Sequence, residues 1–197
     1  MSRRPVSVAI TGGIGAGKSE ALKAFARNGA AVVSSDEIVH RLLREDAEVR
    51  GAIRDRWGDT AFNEHGDVDR GRVAEIVFSD RADLEWLEAL LHPRVVLEYL
   101  DWREEQARKP DAPPLTVTEV PLLYEAGGDT RFDVVVAITA PDDVRAQRGR
   151  AAAEREARLI PDEEKVERAD FAYVNDGSLE ELDAFVRGVV DDLAVRA

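Results

Sequence analysis

Short β-branched apolar runs alternate with stretches in which apolar residues recur every three or four positions. The first pattern predicts buried strands and the second amphipathic helices. Val6-Ser7-Val8-Ala9-Ile10-Thr11 is the first such run. Ser19 to Arg27 follows with Ala21, Leu22, Ala24, Phe25 and Ala26 at helical spacing, and ends at Asn28-Gly29, a common helix stop. Ala30 to Ser34 predicts a second buried strand, and Ile38, Val39, Leu42 and Leu43 a second helix. From about Glu45 to Lys109 the alternation ceases. Four helical stretches fill this region, over Val49 to Trp57, Arg70 to Phe78, Ala82 to Leu91 and Arg94 to Arg108, with a turn at Asn63-Glu64-His65-Gly66-Asp67. His92-Pro93 interrupts the apolar pattern and predicts a bend. Lys109 to Pro114 is a stiff linker back to strand-like sequence. Strands are predicted over Leu115 to Val120, Phe132 to Thr139 and Phe171 to Val174, and a final helix over Leu179 to Val195 with Leu182, Phe185, Val186, Val189, Val190 and Leu193 on one face. The chain reads as an α/β domain interrupted by a helical insertion.

Between the first strand and first helix lies Gly12-Gly13-Ile14-Gly15-Ala16-Gly17-Lys18-Ser19, which fits G-x-x-x-x-G-K-[ST] without mismatch. The strand–loop–helix setting is the context that gives this motif its meaning. Glycines permit the positive φ angles that turn successive backbone N–H groups around a phosphate. The helix beginning at Lys18 adds the positive end of its dipole. Lys18 is expected to neutralise β/γ-phosphate oxygens and the Ser19 hydroxyl to ligate Mg²⁺. The ligands implied are therefore a nucleoside triphosphate and Mg²⁺.

Composition narrows the partners. The 197 residues suit one domain, and 44% hydrophobic residues can build a core. Without cysteine, neither disulfides nor a thiolate zinc site is open to the chain. The basic start Met1-Ser2-Arg3-Arg4-Pro5 precedes too short an apolar run for a signal peptide, and no run approaches a membrane span, so a cytoplasmic protein is expected. A net charge of −13 argues against nucleic-acid and membrane-surface binding. An anionic ligand then requires cations concentrated locally, and Arg145, Arg148, Arg150, Arg155 and Arg158 fall in one segment. They read either as a lid closing over the transferring phosphate or as a solvated helix paired with Glu154 and Glu156.

Two carboxylates stand where open parallel sheets place ligand-binding residues, past the strand ends. Asp36 follows the second strand; it could orient a hydroxyl, accept its proton, hold Mg²⁺ through water, or cap the helix that begins there. Glu119 lies near the end of the third strand, facing either the Mg²⁺ side or, as an edge residue, solvent. His92 reads as a capping or core histidine, and Trp57, Trp86 and Trp102 as packing residues.

The ensemble resembles the dephospho-coenzyme A kinases, a family of P-loop kinases, from about Val6 to about Phe185. Five ordered elements carry the resemblance. They are Thr11 to Ser19, Ser34-Ser35-Asp36-Glu37-Ile38-Val39-His40 beside D-A-D-x-I-A-[HR], Leu90-Leu91-His92-Pro93 beside L-x-H-P, Val120-Pro121-Leu122-Leu123-Tyr124-Glu125 beside V-P-L-L-[FY]-E, and Ala169-Asp170-Phe171 with Asn175-Asp176-Gly177 beside A-D-x-x-I-D-N-x-G. The resemblance implies ATP-dependent phosphorylation of the ribose 3′-hydroxyl of dephospho-CoA. It implies a three-layer P-loop kinase fold with a five-stranded parallel sheet, core residues 5–45 and 115–197, an insertion of about 46–110 forming the acceptor-site wall, and a short lid of about 148–165. Lys18, Asp36 and Arg148 take catalytic positions; Gly12 to Glu20, Asn175 and Gly177 take the nucleotide. Asp36, His40, His92, Pro93, Pro121, Leu122, Leu123 and Glu125 take the acceptor, with Ser19 and, through water, Asp36 or Glu119 on Mg²⁺. A monomer or weak homo-oligomer is expected.

The sequence departs from this pattern in places. Ser34 replaces the first aspartate of D-A-D, Glu20 stands where threonine is frequent, and Val174 replaces the aspartate before Asn175. Leu159 replaces a glutamine, and between Arg148 and Lys165 the lid is several residues short. These departures leave two other readings: a P-loop kinase for another small nucleoside or nucleotide, and a nucleotide-binding regulator with weakened transfer.

Overall fold

The computed structural model describes residues 4–147 and 159–196. They form two units, one of Met1–Ser35 with Trp102–Ala197 and the other Asp36–Asp101.

The first unit is built on five strands, β1 (Val6–Thr11), β2 (Ala31–Ser34), β3 (Leu115–Glu119), β4 (Val134–Thr139) and β5 (Phe171–Val174). They form one sheet in the order β2-β3-β1-β4-β5, and every pairing is parallel. Alternation along the strands sends their side chains to two faces. Val8, Ile10, Leu115, Val117, Val134, Val136 and Ile138 pack with helices α1 (Lys18–Arg27) and, at the chain's end, α8 (Leu179–Arg196). Those helices contribute Ala21, Leu22, Ala24 and Phe25, and Leu182, Val186, Val189 and Leu193. Ala9 and Val135 point the other way and meet Leu123, Tyr124, Val120, Phe132, Ile160 and Ala169. A sheet buried on both faces has near-continuous apolar strands, which is why β1 and β4 stand out in the sequence. Two further short helices belong to this unit, α6 (Asp142–Gln147) and α7 (Asp162–Arg168).

Register brings the strand ends to one level. Ile10 and Ser34 both pair with Glu119, so β1, β2 and β3 finish together. β3 is flanked on both sides, and Glu119 is only 4% exposed. The solvent-facing edge position entertained for Glu119 is therefore corrected. Phe132 and Asp133 precede β4 rather than joining it, because Asp133 turns its carboxylate onto the N–H and hydroxyl of Ser7 (2.8 and 2.6 Å) and onto Arg4.

The second unit is helical. It holds most of α2 (Ser35–Glu45), then α3 (Ala47–Trp57), α4 (Arg70–Ser79) and most of α5 (Arg81–Ala107). Asp46 and Asp69 cap α3 and α4 by accepting from two backbone N–H groups each. Asn63 Oδ1 accepts from the N–H groups of His65 and Asp67 and closes the expected turn. Trp57 and Trp86 meet edge to face, with ring centroids 5.0 Å apart. Helix α2 begins at Ser35, one residue earlier than expected, so Asp36 lies within its first turn and the capping alternative does not hold.

The two helical stretches expected on either side of His92-Pro93 are one helix, α5, which continues through the proline. His92 and Pro93 are exposed, while Leu91, Val95 and Tyr99 carry a buried stripe past them at four-residue spacing. The carbonyl that loses its partner belongs to Ala89, itself exposed, so water can satisfy it. Beside it, the Arg94 guanidinium donates to the Leu90 carbonyl at 2.9 Å. An interior proline costs a helix about 3 kcal/mol relative to alanine, part of which it returns by stiffening the unfolded chain. Pro93→Ala should accordingly raise stability by roughly 1–2 kcal/mol, read as a higher urea midpoint at unchanged m-value; a lower midpoint would show that the ring is needed where it is.

Candidate active site

The phosphate loop leaves β1 at Thr11 and enters α1 at Lys18. Gly12 has φ 141°, and a Cβ added there would stand 1.8 Å from the Ile138 carbonyl oxygen, so only glycine lets the loop pass the end of β4. Gly17, with φ 98°, is the left-handed N-cap from which α1 starts, its carbonyl accepting from Glu20 and Ala21. Within the loop the Ala16 N–H donates to the Gly13 carbonyl at 3.3 Å. The buried Lys18 ammonium donates to the carbonyls of Gly12 (3.1 Å) and Gly13 (2.8 Å), curling back over the loop. From the far side the buried Asn175 amide donates to the Ala16 carbonyl at 2.8 Å, and its own backbone N–H to the Thr139 carbonyl. Asn175 thus braces the loop against the ends of β4 and β5.

Ser19 is exposed, and its hydroxyl donates to the Glu119 carboxylate at 3.3 Å. These are hard oxygen donors, and Mg²⁺ in such sites takes one or two protein ligands and completes its shell from phosphates and water. The pair fits that demand. No cluster of three or more metal-ligating side chains occurs among the described residues. Glu20 turns to Lys23 (2.7 Å) along the surface of α1.

Pro121 to Glu125 follows β3. The Thr11 hydroxyl donates to the Pro121 carbonyl at 3.3 Å, which ties this segment to the start of the phosphate loop. Pro121 and Leu122 are half-buried, and Leu123 is wholly buried in the cluster with Ala9, Tyr124 and Val135. Glu125 is bound inward. Its Oε1 accepts from the Ile160 N–H at 3.0 Å and lies 3.1 Å from the Lys165 ammonium, which is fully buried. Glu125 Oε2 is buried and has no hydrogen-bond partner among the described residues. Arg168 stacks on the Tyr124 ring at 4.0 Å and pairs with Asp129. Helix α7 is therefore pinned to this segment by both its basic residues, Lys165 and Arg168. Nothing local in Glu163-Glu164-Lys165-Val166 marks Lys165 as buried, and the sequence reading missed it.

A second cluster missed from the sequence stands over Gly13. A Cβ placed on that residue would lie 2.8 Å from an Arg145 nitrogen and 2.8 Å from an Asp162 oxygen. Arg145 and Asp162 lie 3.9 Å apart, and Arg145 also pairs with Asp142. A cavity of about 430 Å³ opens here, lined by Gly13, Arg145, Leu159, Pro161 and Asp162 among others. Burial pushes the Asp162 carboxyl above its usual range, against the opposing pull of Arg145, Lys165 and Lys18.

In the helical unit, Asp36 is exposed in the first turn of α2, where a carboxylate favours the helix dipole. One turn on, the His40 ring is held below the usual imidazole range by burial and by Arg70, whose guanidinium is 3.4 Å from His40 Nδ1, so the ring is neutral at pH 7. Gly177 precedes α8; Ser178 and Glu181 cap that helix reciprocally, and the Glu181 carboxylate would stand 2.0 Å from a Cβ at Gly177. Arg148 and the segment expected to form the lid up to residue 158 lie outside the described residues.

A parallel sheet in this strand order, with a glycine loop at its end feeding a lysine and a serine into a helix, defines a P-loop kinase. Comparison with known proteins gives the family. A sequence model of the dephospho-CoA kinases matches residues 6–181. A dephospho-CoA kinase from Protochlamydia amoebophila is 35% identical over 196 residues, covering 95% of this chain and 96% of that protein. Among solved structures, TT1252 from Thermus thermophilus superposes with a TM-score of 0.77 at 33% identity, over 97% of this chain and 99% of that one. Dephospho-CoA kinase from Campylobacter jejuni shares the fold, with a TM-score of 0.70 at 23% identity over 95% and 96% of the two chains. The chain belongs to the dephospho-CoA kinase family.

Two outcomes follow from the buried charges. Lys165→Met strands the Glu125 carboxylate and should cost about 3 kcal/mol, read by urea denaturation; a loss near zero would mean the pair is not buried in solution. For Asp162 the folded pKa lies above the unfolded one. Its favourable contribution is complete below the unfolded pKa and is lost as pH rises through the folded pKa. Asp162→Asn should therefore raise Tm at pH 7, with the gain shrinking as pH falls through the carboxylate range. A gain independent of pH would exclude titration as its source.

Proposed function

We propose that this chain transfers the γ-phosphoryl group of ATP to the ribose 3′-hydroxyl of dephospho-CoA, giving CoA and ADP in the last step of CoA synthesis. A complete phosphate loop, in its strand–helix setting, in a member of this family carries the reading. The family implies ATP as phosphoryl donor.

The loop N–H groups, the positive end of α1 and Lys18 take the β/γ-phosphates. Lys18 need only exchange the Gly12 and Gly13 carbonyls for phosphate oxygens, so its charge is already delivered to the loop. Ser19 and Glu119 would hold Mg²⁺, which supplies neutralising charge to the phosphate oxygens when bound. Asp36 accepts a hydrogen bond from the 3′-hydroxyl and takes its proton as the oxygen bonds to the γ-phosphorus and the bond to the β,γ-bridging oxygen breaks. Arg148 stabilises charge on the transferred group, and Asn175 and Gly177 stand on the adenine side. His40, His92, Pro93, Pro121, Leu122 and Glu125 recognise the acceptor. The buried Oε2 of Glu125, with no hydrogen-bond partner among the described residues, supports its part in this set, and the neutrality of His40 suits a hydrogen bond rather than an ion pair. Because such transfers rest on positioning and electrostatics, losing one group should slow them without abolishing binding.

Purified protein incubated with Mg²⁺, ATP and dephospho-CoA should form CoA detectable by mass spectrometry. Lys18→Ala should abolish it, and Asp36→Asn should lower kcat by roughly 10²–10⁴, the range for a general base. Normal turnover in Asp36→Asn would remove that carboxylate from the mechanism. ATP binding without CoA formation by the unaltered protein would overturn the assigned reaction.

A further inference from the structure

We infer that Arg145 is a second phosphate-contacting cation beside Lys18, and that Asp162 holds it over the phosphate loop by standing where the incoming terminal phosphate must go. The inference rests on the loop taking a triphosphate, as proposed above.

Three charged side chains converge on Gly13. Lys18 donates to its carbonyl at 2.8 Å, and the ends of Arg145 and Asp162 reach within 2.8 Å of where its Cβ would be. Lys18 is the group that serves β/γ-phosphate oxygens, so the residue beneath all three marks the terminal end of the triphosphate. Arg145 is aimed there by its neighbours and is largely withdrawn from solvent, its side chain 15% exposed. A guanidinium in that position presents a planar fork that matches phosphate oxygens.

Asp162 is the harder residue to explain on structural grounds. Its side chain is 22% exposed, and it faces Arg145 from α6, Lys18 from α1, and Lys165 and Glu163 from its own helix. Burial disfavours its charge more than these cations favour it. A carboxylate kept against that cost, on the loop built for phosphate, imitates the ligand: it keeps Arg145 over Gly13 while no nucleotide is bound. It is also an internal competitor. A γ-phosphate arriving over Gly13 brings like charge against Asp162, which must then be displaced or protonated, while Arg145 passes from carboxylate to phosphate. Terminal phosphate should feel both residues, and a ligand ending at the β-phosphate should feel them less.

Titration calorimetry with Mg-ATP and Mg-ADP, with no acceptor present, separates these roles. Arg145→Ala should weaken Mg-ATP about tenfold or more, the effect of one charge-assisted contact, and Mg-ADP distinctly less; Arg145→Lys should restore part of the difference. Asp162→Asn should tighten Mg-ATP severalfold and flatten the rise in ATP affinity that the unaltered protein shows as pH falls toward the carboxylate range. Equal losses for ATP and ADP in Arg145→Ala, or a weaker rather than tighter Mg-ATP complex in Asp162→Asn, would overturn the inference. Circular dichroism of each variant guards against misfolding, and Arg145→Lys keeps the test valid should the alanine variant fail it. The binding pattern is independent of CoA formation: if it holds while no CoA forms, the inference stands and the assigned reaction falls.

Discussion

The carbonyl of Ile138 decides where the phosphate loop can be. It sits so close to Gly12 that no side chain fits between the end of β4 and the loop leaving β1. This contact forces the chain to turn at once over the carboxyl end of the sheet. Everything chemical then follows from register. Because Ile10, Ser34 and Glu119 lie at one level, the loop, the carboxylate that faces Ser19 and the start of α2 issue from the same end of their strands. A parallel sheet offers its ligand-binding edge there, since each strand runs out before its crossover begins. The Asn175 amide on the Ala16 carbonyl fixes the loop from the β5 side.

A chain of net charge −13 must bind a polyanion, and it does so by keeping positive potential local. Backbone N–H groups and a helix end carry no counter-charge of their own, and Lys18 is buried against loop carbonyls. At physiological ionic strength charges more than about 8 Å apart in solvent are largely screened, so the acidic surface weighs less on the phosphates than a single buried cation beside them. The overall charge says little about a nucleotide held in a loop.

What was legible in the sequence is what depends on neighbours in the chain. The strand pattern, the phosphate loop and the start of α1 at Lys18 are each set within a few residues, and all stand as expected. The errors come from long-range context. Pro93 looked like a break because the local rule counts a lost hydrogen bond; the helix survives because the exposed face is where that loss is cheapest. Glu119 could not be placed at an edge or a centre without knowing that β2 and β1 flank its strand. Lys165 reads as one charge in a polar helix, and only the fold brings Glu125, forty residues earlier, to meet it. Asp162 carries no local mark either, since an acidic residue after Pro161 suits a helix start whatever lies above it.

Two of the acidic–basic contacts of helix α7, those of Lys165 and Asp162, are of unequal strength, and the inequality says what moves when nucleotide arrives. Lys165 is wholly buried against Glu125, and separating such a pair costs about 3–5 kcal/mol. Asp162 and Arg145 are longer apart, partly exposed and already burdened by the burial of the carboxylate, so parting them costs far less. The helix is thus anchored one turn in and loose at its first residue. A triphosphate entering over Gly13 will exchange side-chain partners at that first residue before it shifts the helix, since the weaker contact yields first. The anchor has a second consequence. Through Ile160 and Lys165 it ties the start of α7 and the residues just before it to Glu125, in the stretch proposed for the acceptor. The site therefore need not move a whole element to respond to its donor substrate; it exchanges one carboxylate for one phosphate, against a frame held by the buried pair.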